Sequence, residues 1–99
     1  MITEAINIIE VYAVRGQGHS LELLITTLAS ELQDATGCIC YHATRSSTSS
    51  DLWIVTGQWT SAAAMEEHYT HPGLDGVMKL LGSPAVSRIC VGTFIETAA

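Results

Sequence analysis

Positive charge is the scarcest thing in this chain. Arg15, Arg45, Lys79 and Arg88 are its four basic residues, set against ten acidic ones for a net charge of −6 over 99 residues. They are scattered, so no basic stripe can neutralise a phosphate backbone, and nucleic-acid partners are excluded. The same shortage disfavours anionic membrane surfaces, and no apolar run approaches the ~18 residues of a membrane span. The N-terminus carries Glu4 and Glu10 where a secretory signal needs basic residues, so a cytoplasmic location is expected. Cofactor signatures are missing too: no G-x-G-x-x-G, P-loop, H-E-x-x-H or nucleophile elbow occurs. Any enzyme made from this chain is expected to work without flavin, nicotinamide or metal.

Cysteine is sparse and odd in number. Cys38 and Cys40 alternate on one apparent strand, His42 continues their face, and Cys90 sits on another strand. A Cys38/Cys40/His42 cluster lacks the second half-site that a metal centre needs, so the three thiols read as small buried side chains and no metal is expected.

What remains is apolar. Hydrophobic residues make up 47% of the chain and charged residues only 14%. One domain over residues 1–99 has too little interior for so many apolar side chains, which predicts that some of them are covered by a partner.

The pattern along the chain predicts β-α-β-β-α-β. Residues 5–13 are rich in β-branched side chains and read as a strand, broken by Gly16-Gln17-Gly18. A helix over about 20–35 follows, with Ser20 as its N-cap and an apolar stripe of Leu21, Leu24, Ile25, Leu28 and Leu32. Gly37 supplies the permissive residue past its end. Strands are predicted at about 38–45 and 51–59, separated by the polar run Ser46-Ser47-Thr48-Ser49-Ser50. A second helix begins at Thr60 or Ser61 and runs to about His71, Pro72-Gly73 interrupts it, and a short helix covers Leu74–Leu81. The last strand spans about 86–96. This order is the split βαβ of an antiparallel, ferredoxin-like α+β fold.

Sorting side chains by strand parity exposes a contradiction. Trp53, Val55, Gly57 and Trp59 face one way and Leu52, Ile54, Thr56 and Gln58 the other, while Ile6 and Ile8 oppose Ile9 and Val11. Both sheet faces are largely apolar, yet two helices cover only one face of such a sheet. A homodimer joined through the open sheet face removes the contradiction.

The segment from Gly57 to Leu74 is the most informative in the chain. A strand ends at Trp59, Thr60-Ser61 opens a helix, His68 closes its inner face and Pro72 breaks it. With Thr36-Gly37-Cys38-Ile39-Cys40-Tyr41 at the start of strand two, it resembles the antibiotic-biosynthesis monooxygenase family. The resemblance runs over nearly the whole chain and implies a dimeric α+β barrel. In polyketide-oxidising members a strand-two histidine and the strand-three tryptophan line the substrate pocket, and His42 and Trp59 match them. The asparagine and tyrosine of their set fall on Val55 and Met65 here, and the acidic residue of quinol-oxidising members falls on Gly57. The haem-degrading branch needs a tryptophan and a histidine where this chain has His68 and Met78, which argues against haem.

The residues therefore suggest a cofactor-independent oxidation of a small aromatic, phenolic or quinol-like, molecule by O2. His42 would accept the proton. Trp59 and Trp53 would wall a flat ligand, with His68, Tyr69 and Met65 completing the substrate contacts. His42 is expected under the helices beside Trp59. Glu66 and Glu67 read as solvated helix charges, His71 as a helix-end residue, and Arg88 as a strand-end cation within reach of an anionic oxygen. The same barrel used for ligand binding, cyclisation or isomerisation is the alternative.

Overall fold

A computed structural model describes residues 2–69 and 75–96, without the side chains of residues 75 and 76. Four strands, β1 (Ala5–Ala13), β2 (Cys38–Arg45), β3 (Leu52–Trp59) and β4 (Val86–Ile95), form one sheet in the order β2-β3-β1-β4. Every neighbouring pair is antiparallel. The helices are α1 (Glu22–Leu32), α2 (Ala62–His68) and α3 (Asp75–Leu81). The ferredoxin-like α+β reading is correct. The expected break at Pro72-Gly73 and the position of His71 lie outside the described residues.

Strict alternation builds the core. Ala5, Asn7, Ile9, Val11 and Ala13 of β1 are all buried, as are Trp53, Val55, Gly57 and Trp59 of β3. Leu21, Ile25, Leu28 and Leu32 come down on them from the α1 side, Met65 from α2 and Leu80 from α3. Each such side chain removed from water contributes roughly 1.5–3 kcal/mol before chain entropy is counted.

Helix α1 starts differently from the expectation. A 3-10 turn over His19–Leu21 runs straight into it, and Ser20 is not its N-cap. The turn supplies carbonyl partners itself, Ser20 N–H to Gln17 at 3.1 Å and Leu21 N–H to Gly18 at 3.3 Å, so no hydroxyl cap is required. Asp51 fastens this loop by accepting the N–H groups of Gly16 and Gly18. Helix α2 begins as expected, with the Ser61 hydroxyl accepting the Ala64 N–H at 3.1 Å. Gly37 takes φ +83°, and a Cβ there would lie 2.5 Å from that of Ala64, so this turn packs α2 tightly against the start of β2.

Strand β2 carries a bulge. Cys38 pairs with Trp59 but Cys40 pairs with Gln58, which leaves Ile39 as an extra residue. Parity downstream is reversed. Tyr41 and Ala43 point under the helices, opposite Gly57 and Val55, and His42 points to the open face opposite Thr56. Cys38 faces the core and Cys40 does not, so the two thiols and His42 share no face.

The open face has an apolar centre of Ile6, Ile8, Leu52 and Ile54. Phe94 extends it on β4 and is 55% exposed. Beside it the Tyr12 hydroxyl donates to the Glu10 carboxylate, and the Arg88 guanidinium lies 4.2 Å from the Tyr12 ring centroid.

Asn7, Gly57 and Tyr41 form one rung across three strands. A Cβ on Gly57 would collide with the Asn7 side-chain oxygen and come within 2.5 Å of Tyr41 Cε2. Gly57→Ala is therefore expected to destabilise the fold by about 1–3 kcal/mol through overpacking. The readout is a lower urea midpoint at unchanged slope; an unchanged midpoint would show that Asn7 and Tyr41 separate freely.

Candidate functional site

Asn7 is the surprise of the inner face. Asparagine disfavours strands, and here it is fully buried among β-branched neighbours, so its amide must find partners. Trp59 Nε1–H donates to Asn7 Oδ1 at 2.8 Å, and Asn7 Nδ2–H donates to the Tyr41 oxygen at 2.5 Å. Indole nitrogen can only donate, so the direction of this chain is set from its Trp59 end. The empty space above Gly57 is what lets the carboxamide reach across to Tyr41.

Aromatic rings stack on this network. The His68 ring lies 4.4 Å from Trp59, at 34° to it, and 4.2 Å from Tyr69 on its other side. Tyr41 meets Trp59 edge-on at 6.1 Å. His68 is buried at the end of α2, and its Nδ1 is hydrogen-bonded to the Met65 carbonyl one turn back. A carbonyl only accepts, so Nδ1 carries a proton and Nε2 holds the lone pair of the neutral ring. His68 also lines a cavity of about 150 Å³ with Ala35, Thr36, Ala64 and Glu67.

Burial governs the ionisation of this cluster. It pushes the Tyr41 phenol far above the ordinary tyrosine value, against the hydrogen bond from Asn7, with smaller upward contributions from Tyr69 and Cys38. Tyr69 is raised by burial as well and partly relieved by the nearby Asn7. Its hydroxyl is buried without a hydrogen bond of ordinary geometry. The Cys38 thiol is pushed up to about 11 by burial and by its neighbour Cys40. All three groups are neutral at physiological pH.

The sequence reading brought together some of these residues and misplaced others. Trp59, His68, Tyr69 and Met65 do meet at the end of β3 and α2. His42 does not join them: it is exposed on the open face because the Ile39 bulge reverses β2, so it is not a pocket histidine beside Trp59. Trp53 shares the inner face but lies six residues up the strand, about 20 Å from Trp59. There its Nε1–H donates to the Gly18 carbonyl at 2.8 Å and Arg45 sits 5.7 Å from the ring centroid, so it seals the far end and walls no common pocket. Arg88 is engaged with Tyr12 on the other face. Asn7 was missed altogether. The available signal was a strand-averse amide on the same side as Ile9 and Val11.

Comparison with known proteins places this arrangement. No curated protein matches the chain in sequence. Among solved structures, PA3566 from Pseudomonas aeruginosa superposes with a TM-score of 0.78 at 20% identity, covering 99% of this chain and 98% of its own. SnoaB, a cofactor-independent oxygenase from Streptomyces nogalater solved as a point variant, gives 0.74 at 15% identity over 97% and 96% of the two chains. Rv0793 from Mycobacterium tuberculosis gives 0.73 at 16% identity over 96% and 97%. At these identities the likeness speaks for the fold. The antibiotic biosynthesis monooxygenase family model matches residues 5–79, which take in β1, the bulged β2, Trp59 and His68, and the chain belongs to that family.

Proposed function

We propose that this protein is a homodimeric, cofactor-independent monooxygenase that oxidises a small electron-rich phenol or quinol with O2. The observation that carries the reading is the Trp59–His68–Tyr69 stack, whose His68 lines a cavity, in a chain of this family. With His42 on the other face, His68 takes the role of proton acceptor through Nε2, the nitrogen left basic by the Met65 contact. Trp59 backs the His68 ring from the core, Tyr69 holds a ring surface beside it for a planar substrate, and Met65 supports them.

The chemistry balances without an external reductant. His68 takes the phenol proton, and the phenolate gives one electron to O2. The phenoxyl radical and superoxide combine at an ortho or para ring carbon that carries hydrogen, giving a peroxide. Loss of that carbon's proton then breaks the O–O bond and leaves a quinone carbonyl, while the second oxygen takes up the proton held by His68 and departs as water. One phenol and one O2 thus yield one quinone and one water. The protein's part is orientation, water exclusion and proton handling.

Turnover of a panel of electron-rich phenols and hydroquinones should persist in protein stripped of metal and flavin and should stop under nitrogen. His68→Gln should lower it by about 10²–10⁴-fold, whereas His42→Ala should leave it unchanged. If the panel binds but an oxygen electrode records no uptake, the chain belongs with the binding, cyclase or isomerase uses of this fold.

The open face serves dimerisation in the same reading. Its apolar centre around Ile6, Ile8 and Ile54, flanked by the hydrogen-bonded Glu10–Tyr12–Arg88 set, has the make-up of an interface core with a polar surround. An obligate interface here should bury about 2,000 Å² or more. Ile54→Asp should dissociate it, since an unpaired carboxylate beside Glu10 would be buried. Light scattering at micromolar concentration reads the result, and a monomeric parent protein would refute the interface.

A further inference from the structure

Glu66 and Glu67 both read as solvated helix charges in the sequence, and the structure separates them. Both are exposed on α2, but Glu67 lines the cavity that His68 also lines, and Glu66 does not. Exposure grades through that cavity: Thr36 and Glu67 are exposed, Ala35 and Ala64 half-buried, and His68 buried. Its volume of about 150 Å³ is the space that one benzene ring fills. Ala35 and Ala64 present only methyl groups to it, and the tight seat of Ala64 on Gly37 fixes its width.

We infer that Glu67 selects the substrate: the cavity takes an uncharged single-ring phenol with a second hydrogen-bond donor, hydroquinone being the simplest, and turns away carboxylated phenols. The inference rests on the proposed aromatic oxidation and names the substrate class of that site. The hydroxyl to be deprotonated goes to His68 at the buried end, and the second donates to the Glu67 carboxylate nearer solvent. A carboxylate has about four acceptor positions, so it serves a ligand alongside its contacts within the protein. A hydrogen bond to a charged acceptor is also about twice as strong as one between neutral groups.

Charge gives the selectivity its sign. Among the described residues that line the cavity there is one carboxylate, Glu67, and no lysine or arginine. A ligand carboxylate placed there would stand beside Glu67 with no cation to offset the repulsion. Thr36 adds a neutral hydroxyl from the turn before β2. Size is the second criterion. A second fused ring exceeds the volume and must stay outside, although its extra apolar area would tighten binding in an open groove.

The test is calorimetric binding to the full chain under nitrogen, with hydroquinone, phenol, 4-hydroxybenzoate and 1,4-dihydroxynaphthalene as probes. The parent protein should bind hydroquinone about tenfold more tightly than phenol. It should hold the naphthalene diol more weakly than hydroquinone, and it should not bind 4-hydroxybenzoate at concentrations that saturate hydroquinone. Glu67→Gln keeps an acceptor without the charge at an exposed position. It should erase most of the preference for hydroquinone over phenol and admit 4-hydroxybenzoate. Ala35→Leu, which fills the cavity, should weaken hydroquinone and phenol together. The parent's own ranking of the four probes decides the matter where a variant folds poorly. Equal binding of hydroquinone and phenol, tighter binding of the naphthalene diol, no binding of hydroquinone, or a Glu67→Gln protein with the parent's preferences would each overturn the inference. Oxygen uptake above the protein-free rate is a separate reading. Uptake without the preference leaves the oxidation standing and removes the role of Glu67, and the preference without uptake does the reverse.

Discussion

A single buried carboxamide constrains much of this fold. Asn7 cannot stay on the inner face of the sheet unless both of its hydrogen bonds are made, because an unmet buried amide costs several kcal/mol. Those bonds run to Trp59 on one neighbouring strand and to Tyr41 two strands away. They form only if β3 is in register with β1, β2 is in register with β3, and nothing but hydrogen occupies the side-chain position of residue 57. A one-residue slip in either pairing would turn Tyr41 or Trp59 to the wrong face. The polar contact thus specifies the register that the apolar alternation only favours. Trp59, once held, is the platform on which His68 packs, and through His68 the end of α2 is seated.

The sheet divides its polar groups by type. Asn7, Tyr41 and Tyr69 on the helix side are neutral and buried or half-buried, and His68 is the ionisable group among them whose ordinary pKa lies near neutrality. Full charges, Glu10 and Arg88, are kept on the open face, where Tyr12 joins them. A reaction carried out under the helices would therefore run in a medium of dipoles. Hydrogen bonds count for more there than in water.

Much of this fold was legible in the sequence, and the reasons differ from element to element. Strand and helix positions followed from β-branched runs, from the three- and four-residue spacing of Leu21, Ile25, Leu28 and Leu32, and from the Ser61 cap. Each of these is local information. The cluster at Trp59 and His68 was legible because a strand end and a helix inner face are both short-range patterns. What could not be read was whatever depends on a neighbouring strand. The N–H groups at the start of α1 are answered by a turn, so Ser20 had no role as a cap. Trp53 looked like a second pocket wall because parity alone ignores the distance along the strand. Asn7 was visible as an anomaly, but its partners lie 34 and 52 residues away. His42 was assigned to the wrong side because a bulge leaves no mark in alternation: Cys38-Ile39-Cys40-Tyr41-His42 reads equally well in either parity.

That extra residue in β2 acts as a phase shift. Upstream of Ile39 the strand is read by the sheet in one frame, and downstream in the other. Pairing Ile39 with Gln58 in place of Cys40 would straighten the strand, leave β3 a partner along its whole length and keep the ladder of backbone bonds. It would nevertheless exchange the two faces of everything that follows, sending His42 under the helices and Tyr41 out to the open side. One residue of register therefore decides whether imidazole or phenol lies under the helices. A domain of this shape could trade one pocket chemistry for another by the slip of a single strand, with no substitution at all.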